Sequence, residues 1–105
     1  MQIIKVDTIV RANTFIKRLK GYMFVSKPNR REVLLIEPCN QVHTFNMKFE
    51  IDVLYLDINF RVLAKFEHVK AGRVLPAVKE SMRVAEGGAG LFKRIVEGEI
   101  VRFEI

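Results

Sequence analysis

The chain has 105 residues, half of them hydrophobic, and a formal net charge of +6 at pH 7. A chain of this length and hydrophobic content forms one domain with its own core, which we place at residues 1–105, and it is not intrinsically disordered. No apolar run reaches the roughly 20 residues that a transmembrane helix needs, and a single cysteine excludes an internal disulfide. We therefore expect a cytoplasmic domain without a transmembrane segment.

The positive charge is concentrated near the start of the chain. Residues 1–31 hold eight lysines and arginines against one acid, a net charge of +7, whereas residues 32–105 hold ten against eleven acids, a net charge of −1. A basic cluster can bind phosphates or other anions, but it can also simply keep a surface solvated. Both interpretations apply to the candidate anion-binding residues, which are Lys17, Arg18, Lys20, Arg30 and Arg31.

The first third of the chain predicts two strands and a helix. Apolar residues begin a strand at 3–6 that resumes at 9–10. Asn13 is a candidate N-cap, and the apolar residues within 15–19 have the spacing of one helical face. Gly21 would end this helix, because glycine readily adopts the left-handed conformation of a C-terminal cap.

The middle of the chain predicts strands that are buried on one or both faces. Residues 33–36 are all apolar and are followed by Pro38, which is typical of a buried strand and its end. From 43 to 57 apolar and polar side chains alternate, so one face of this run is buried. Its second part, 51–56, is apolar on both faces and would be a central strand. Asp52 lies inside it, and we expect a structural carboxylate that accepts hydrogen bonds from backbone N–H groups.

The second half of the chain predicts a hairpin and a further strand. The hairpin joins 51–56 to 62–68 through a turn at 57–60, in which Asn59 would take a left-handed conformation. The next strand is expected at 78–85. Finding either arm of the hairpin helical would overturn this interpretation.

The end of the chain predicts a tight turn, a short helix and a last strand. The glycine-rich stretch 86–90 leads to a helix at 91–95, and a strand follows at 100–103. The glycines lack the Gly-Lys-Ser/Thr ending of a phosphate-binding loop, so we interpret them as a turn. Together the elements predict an α+β fold, mostly antiparallel β, arranged as a barrel-like sandwich with two short helices.

A polar cluster beside the alternating apolar face is the candidate ligand-binding site. A shallow cleft there would have a rim of His43, Thr44 and Asn46 and a floor of Met23, Phe45 and Met47. Methionine and phenylalanine form adaptable apolar surfaces, and a few polar groups at the edge orient a ligand. An equally good interpretation is that Phe45 and Met47 belong to the core and that His43 is a solvated loop residue.

Catalytic and metal-binding patterns are weak in this sequence. Cys39 and His43 lie four residues apart without a second ligand pair, so we expect no metal site and no cofactor. His43 could serve as a general base oriented by Asp52 or Asp57. No nucleophile motif accompanies these groups. An enzyme built on His43 and Asp52 is therefore kept as the third alternative.

Three sequence elements resemble those of one conserved family. They are RLKGYMF at 18–24, HTFNMK at 43–48 and IDVLYLD at 51–57. They are similar to the Arg-x-x-Gly-Leu-Met-Phe, aromatic-x-Met-Lys and Ile-Asp-Val/Ile-Leu-Phe-Leu-Asp elements of a small bacterial and archaeal domain family of unknown function. The resemblance covers roughly residues 12–103. It implies a compact β-rich fold and no particular reaction, because none is established for the family.

The sequence favours a non-enzymatic binding or interaction module whose partner is an unknown small ligand or protein. Its site would lie where residues 43–48 meet the turn at 22–24. The second interpretation is an anion or nucleic-acid binder that uses the basic N-terminal third.

Overall fold

Seven β-strands form the regular structure of the described residues. The structure is a computed structural model that describes residues 1–12, 31–45 and 47–105. In chain order the strands are β1 (Gln2–Lys5), β2 (Thr8–Ala12), β3 (Glu32–Ile36), β4 (Ile51–Leu56), β5 (Val62–Val69), β6 (Arg83–Gly88) and β7 (Val101–Glu104).

The strands form two separate sheets. Five of them make a mixed sheet in the order β2-β3-β6-β4-β5, and β1 pairs with β7 in a two-stranded sheet. The β1–β7 and β2–β3 pairs are parallel, and the other three pairs are antiparallel. Because β4 has a neighbour on each side and is covered on both faces, Ile51–Leu56 is buried at every position.

Alternating side chains give the five-stranded sheet two cores, one on each face. The first core includes Leu35, Leu54, Ala85, Phe92 and Val101. The second core includes Leu34, Met47, Tyr55, Leu75 and Val84. Neighbouring residues of one strand, such as Leu34 and Leu35, therefore enter opposite cores.

The predicted hairpin is confirmed. β4 pairs antiparallel with β5, and the register places Val53 opposite Phe66 and Tyr55 opposite Ala64. Val53 and Tyr55 are fully buried. The rings of Tyr55 and Phe66 meet edge to face with their centroids 5.7 Å apart, a favourable arrangement for aromatic pairs.

The turn of this hairpin differs from the prediction. Asp57 Oδ1 accepts the backbone N–H groups of Asn59 (2.8 Å) and Arg61 (2.9 Å). Because one carboxylate oxygen holds both N–H groups, the backbone reverses direction at Phe60, the residue between them, which has a positive φ of 65°. The prediction of a left-handed Asn59 is therefore wrong.

Four of the other predicted strands are confirmed, whereas the first part of the β-run predicted at 43–57 is wrong, because residues 43–45 and 47–49 form no strand and Phe45 is 45% exposed. Strands near 3–6, 9–10, 33–36 and 100–103 are present with ends shifted by one or two residues. The strand predicted at 78–85 begins only at Arg83. Residues before it form a turn, in which the Ser81 N–H donates to the Val78 carbonyl oxygen at 2.9 Å, so the backbone cannot extend until that turn is complete.

The predicted α+β class with two short helices is contradicted. Residues 1–12, 31–45 and 47–105 hold strands and turns but no helix, and thus no helix that could cross a membrane. The two sheets stay open and do not close into the predicted barrel. The helix predicted from Asn13 to Gly21 lies outside the described residues.

The helix predicted at 91–95 is wrong for an identifiable reason. This segment is a run of turns, in which the N–H groups of Leu91 and Ile95 donate to carbonyls three residues earlier. Two further N–H groups, those of Gly90 and Phe92, donate to the side chain of Asp52. A carboxylate from another strand therefore takes up backbone donors near the start of the segment, which consequently lacks a helical ladder.

Asp52 joins three parts of the fold at one buried carboxylate. The side chain is fully buried. Its Oδ1 accepts the His68 N–H at 3.0 Å, and its Oδ2 accepts those of Gly90 and Phe92 at 2.9 and 3.1 Å. His68, with a φ of 51°, lies where the β4–β5 register shifts, and such a bulge leaves a backbone group outside the regular ladder. Asp52 satisfies that group and fixes the turn that carries Phe92 into the first core.

Replacing Asp52 by asparagine should destabilise the domain strongly. An amide can offer only one oxygen, so its NH₂ group would face a backbone donor inside the protein. We expect Asp52→Asn to lower the free energy of unfolding by about 2–4 kcal/mol, measured by urea denaturation. The matched control is Asp57→Asn in the hairpin turn, where an amide oxygen can still accept both bonds that Oδ1 accepts, so the change should cost less than about 1 kcal/mol. Equal losses for the two variants would contradict the central role of Asp52.

Candidate functional site

Two chain segments without regular strands form a ribbon over the second core. Residues 40–44 run antiparallel to residues 72–78, joined by backbone hydrogen bonds of 2.8 to 3.1 Å that involve Asn40, Val42 and Thr44. His43 and Val74 form an isolated bridge within this pair. We call residues 40–48 and 70–79 the basic ribbon; Asn46 within it lies outside the described residues.

Thr44 holds the ribbon together from inside. Its side chain is fully buried. Its hydroxyl donates to the Lys70 carbonyl oxygen at 2.7 Å and accepts the Arg73 N–H at 2.8 Å, while its carbonyl oxygen accepts the Gly72 N–H at 3.0 Å. A hydroxyl can donate and accept at once, so this one residue fixes the loop at 70–73.

Tyr55 and Leu75 fasten the ribbon to the sheet. The Tyr55 hydroxyl donates to the Pro76 carbonyl oxygen at 2.7 Å, and Leu75 is buried in the second core. Burial raises the pKa of Tyr55 to about 12. The phenol therefore keeps its proton, and this hydrogen bond, throughout the neutral pH range.

His43 and Phe45 form a pair of stacked rings on the outer surface of the ribbon. Their centroids are 4.7 Å apart and their planes differ by 27°. The Phe45 N–H donates to His43 Nδ1 at 3.3 Å, so a neutral imidazole carries its proton on Nε2. Phe45 is 45% exposed and the neighbouring Val74 is 62% exposed. The ribbon thus presents ordered ring surface to the solvent.

The ribbon is basic and contains no acid. Its four cations, Lys48, Lys70, Arg73 and Lys79, are all exposed, and neither 40–48 nor 70–79 includes an aspartate or glutamate. Sequence reasoning missed this surface because the two segments are separated by 21 residues and lie within residues 32–105, whose net charge is −1. Folding alone brings them together.

The structure divides the predicted ligand-binding residues into two groups. His43 and Phe45 are exposed, whereas Thr44 and Met47 are buried. Met23 and Asn46, the other two, lie outside the described residues. The predicted cleft therefore stays a prediction, and the described part of it is an exposed ring pair above a buried threonine.

Most of the predicted anion-binding residues lie outside the described part of the chain. Lys17, Arg18, Lys20 and Arg30 lie outside the described residues. Arg31 is exposed, its Nε donates to the Lys5 carbonyl oxygen at 2.8 Å, and its backbone N–H donates to the Asp7 carboxylate at 2.9 Å. Its guanidinium therefore helps to hold β1 beside the start of β3.

The groups considered for catalysis have other partners. The oxygens of Asp52 accept three backbone hydrogen bonds, and His43 Nδ1 accepts one. Cys39 donates its thiol proton to a nearby backbone carbonyl, and the His68 ring contacts Glu50 at the surface at 3.3 Å. Within the described ranges, no three His, Cys, Asp or Glu residues are grouped closely enough to hold a metal ion.

Glu86 is a buried carboxyl group that sequence reasoning did not single out. It lies in β6, opposite Leu34 of β3 and Val53 of β4, and is only 4% exposed. Burial raises its pKa to about 7, because a low-dielectric interior disfavours the charged form. The signal in the sequence was a lone acid directly after the apolar pair at 84–85, within a stretch that we assigned to a strand end and turn.

The chain belongs to the DUF192 family, described as an uncharacterized ACR, whose model matches residues 2–103. A UPF0127 protein of Thermococcus gammatolerans is 30% identical over 100 residues, which cover 90% of this chain and 65% of that protein. A UPF0127 protein of Pyrococcus horikoshii is 35% identical over 89 residues, covering 80% and 75%. The family resemblance drawn from the three sequence elements is thereby confirmed.

A solved structure shares the fold. A protein of unknown function from Novosphingobium aromaticivorans superimposes with a TM-score of 0.76 at 22% identity, covering 86% of this chain and 70% of that one. At this identity the likeness concerns the fold alone. This chain spans slightly less than two thirds of the length of the Thermococcus relative, so nothing about a whole protein's activity follows from the match.

The raised pKa of Glu86 should make stability fall as pH rises. Between its ordinary pKa of 4.5 and its folded pKa of about 7, the folded state holds a proton that the unfolded state has released. The contribution of Glu86 to stability is therefore full below about pH 4.5 and declines towards pH 7, by an amount on the order of 3 kcal/mol. Urea denaturation across this range should show the decline in the natural protein and its loss in Glu86→Gln. Glu80→Gln, at an exposed position, should keep it, and a flat profile in the natural protein would contradict the assignment.

Proposed function

We propose that the domain is a non-enzymatic binding module whose ligand surface is the basic ribbon, and that its partner is a single-stranded nucleic acid. The observation that carries the proposal is the exposed His43–Phe45 ring stack, set on two chain segments that hold four exposed cations and no acid. Proteins that bind single strands combine aromatic rings, on which bases stack, with cations that follow the backbone.

The ribbon suits this task because contacts within the protein hold its described residues 43–45 and 70–73 in place. A ring that is already ordered loses little conformational entropy on binding. Phe45 is held by its stack on His43 and by its own N–H, and Thr44 fixes the loop between Lys70 and Arg73 from below. The loop that carries Lys70 and Arg73 is thus fixed next to Thr44, the residue between the two rings, before any ligand binds.

The proposal retains the leading interpretation of the sequence, a non-enzymatic binding module, and changes which segment completes its site. The site still contains the 43–48 segment, but its second wall is the loop at 70–74 in place of the turn at 22–24. Binding through the basic N-terminal third stays a separate prediction, because four of its five residues lie outside the described part. The single cysteine fits a reducing compartment, and we place the module in the cytoplasm.

Fluorescence anisotropy with a labelled thymidine oligonucleotide of about 12 nucleotides, within the span of known single-strand sites, tests the proposal. We expect Phe45→Ala to weaken binding about tenfold, since stacking on one ring is worth about 1–3 kcal/mol per base. Lys70→Gln combined with Arg73→Gln should reduce the slope of log affinity against log salt by about 1.4, because each phosphate contact contributes about 0.7.

The matched control changes two cations on the opposite face of the sheet. Lys93 and Arg94 are exposed in the turn segment that packs on the first core, so Lys93→Gln with Arg94→Gln removes the same charge away from the ribbon. This variant should keep the affinity to within about twofold and the salt slope nearly unchanged. Failure of the natural protein to bind the oligonucleotide even at low salt would reject the proposal, and so would equal losses in the two double variants.

A further inference from the structure

A second surface feature lies on the other face of the molecule, between the two sheets. It is a concavity of about 160 Å³. Its apolar lining comes from Ile9 of β2, Leu35 of β3, Phe60 of the hairpin turn, and Val101 and Phe103 of β7. Two arginines, Arg11 and Arg102, complete the lining. None of these residues belongs to the basic ribbon, so the two surfaces are independent.

The apolar lining is an outward extension of the first core. Leu35 and Val101 are buried in that core, and Ile9, Phe60 and Phe103 pack against it. The volume sets the size of a ligand, since an apolar cavity of about 150 Å³ accommodates a benzene ring. The concavity itself has room for one ring or a short branched chain, whereas a nucleotide or a long lipid chain would extend beyond it.

The two arginines keep positive charge at the mouth even though each is paired with a carboxylate. Arg11 contacts Glu37 at 2.8 Å, but Glu37 also accepts Arg83 at 2.8 Å. In the same way Arg102 and Lys5 share Glu104, at 3.1 and 3.3 Å.

Each side of the concavity therefore has two cations for one carboxylate and retains one positive charge. The side chains of Arg11 and Arg102 are 60% and 63% exposed. Their guanidinium groups can thus reorient towards an anion without leaving Glu37 or Glu104 unpaired.

The aromatic wall is held in position before any ligand arrives. The Arg83 guanidinium lies 4.2 Å from the centre of the Phe60 ring, a favourable cation–π contact. The Phe60 carbonyl oxygen accepts the Val101 N–H at 3.0 Å, which ties the hairpin turn to β7. Phe60 keeps a positive φ of 65°, a conformation that costs energy for a bulky residue and persists only where its surroundings enforce it.

We infer that this concavity binds a small monocarboxylate with an apolar body, of which phenylacetate is the model compound. The ring would occupy the space lined by Leu35, Phe60 and Phe103, and the carboxylate would accept hydrogen bonds from Arg11 and Arg102. Inorganic phosphate would leave the apolar lining without a contact, and a neutral aromatic molecule would make no use of the arginines. A small carboxylate with an apolar body satisfies both features.

The test is a titration of the isotope-labelled full chain with phenylacetate, followed by NMR of the methyl groups. Signals of Ile9, Leu35 and Val101 should move together and saturate with a dissociation constant of about 1 mM, which is ordinary for a ligand of this size. The uncharged analogue 2-phenylethanol should bind about tenfold more weakly, because it lacks the charge-assisted hydrogen bonds. Absence of movement at these methyls, or equal affinity for the two compounds, would overturn the inference.

Variants separate the charge from the apolar lining. Arg11→Gln with Arg102→Gln should weaken phenylacetate binding about tenfold and leave 2-phenylethanol binding unchanged. Lys93→Gln with Arg94→Gln, which removes the same charge elsewhere, should bind both as the natural protein does. Ile9→Trp, which fills the concavity, should abolish both. Phenylacetate affinity that stays unchanged in the arginine variant, or binding that survives in a folded Ile9→Trp protein, would contradict the site.

Discussion

The fold depends on one buried carboxylate that is satisfied entirely by backbone groups. Asp52 lies on an interior strand, and its three hydrogen bonds reach the bulge of β5 and the turns at 90–92. A charged group in a core is costly unless it is fully hydrogen-bonded. Here that requirement specifies the structure, since the carboxylate is satisfied only when the bulge and both turn residues are in place. Phe92, which the same contact positions, then completes the first core.

The two faces of the five-stranded sheet are covered by different structures, which present different surfaces to the solvent. One face is covered by β1, β7 and the 91–95 turns, and leaves a small apolar concavity bordered by arginines. The other is covered by the basic ribbon, whose backbone hydrogen bonds are supplemented by the side chains of Thr44 and Tyr55. Buried polar side chains thus add to backbone pairing in fixing the ribbon. This arrangement allows a loop surface to be exposed and yet well defined.

Much of the strand structure could be predicted from the sequence, because alternation reports directly on which face of a strand is buried. It placed the β4–β5 hairpin and most other strands. It failed at 91–95, where apolar spacing suited a helix but Asp52, some 40 residues earlier, takes the backbone donors. It failed also at Asn59, since the turn depends on which carboxylate oxygen holds which N–H. The aromatic and polar residues 43–45 attracted attention in the sequence, but the basic loop opposite them and the buried Glu86 depend on contacts between distant segments.

The parallel pairing of β1 with β7 connects the first strand to the last. Gln2 lies opposite Val101 and Lys5 opposite Glu104, and the Val6 N–H donates to the Glu104 carbonyl oxygen at 2.8 Å. During synthesis, β1 leaves the ribosome before β7 and gains its strand partner only when residues 101–104 follow. Ile4 and Val6, which are buried in the finished first core, therefore lack this neighbouring strand until synthesis has reached β7. A fold closed by contacts of such long sequence separation gains its cooperativity late, and a nascent chain that stops short of β7 leaves these apolar residues open to chaperones or to other chains.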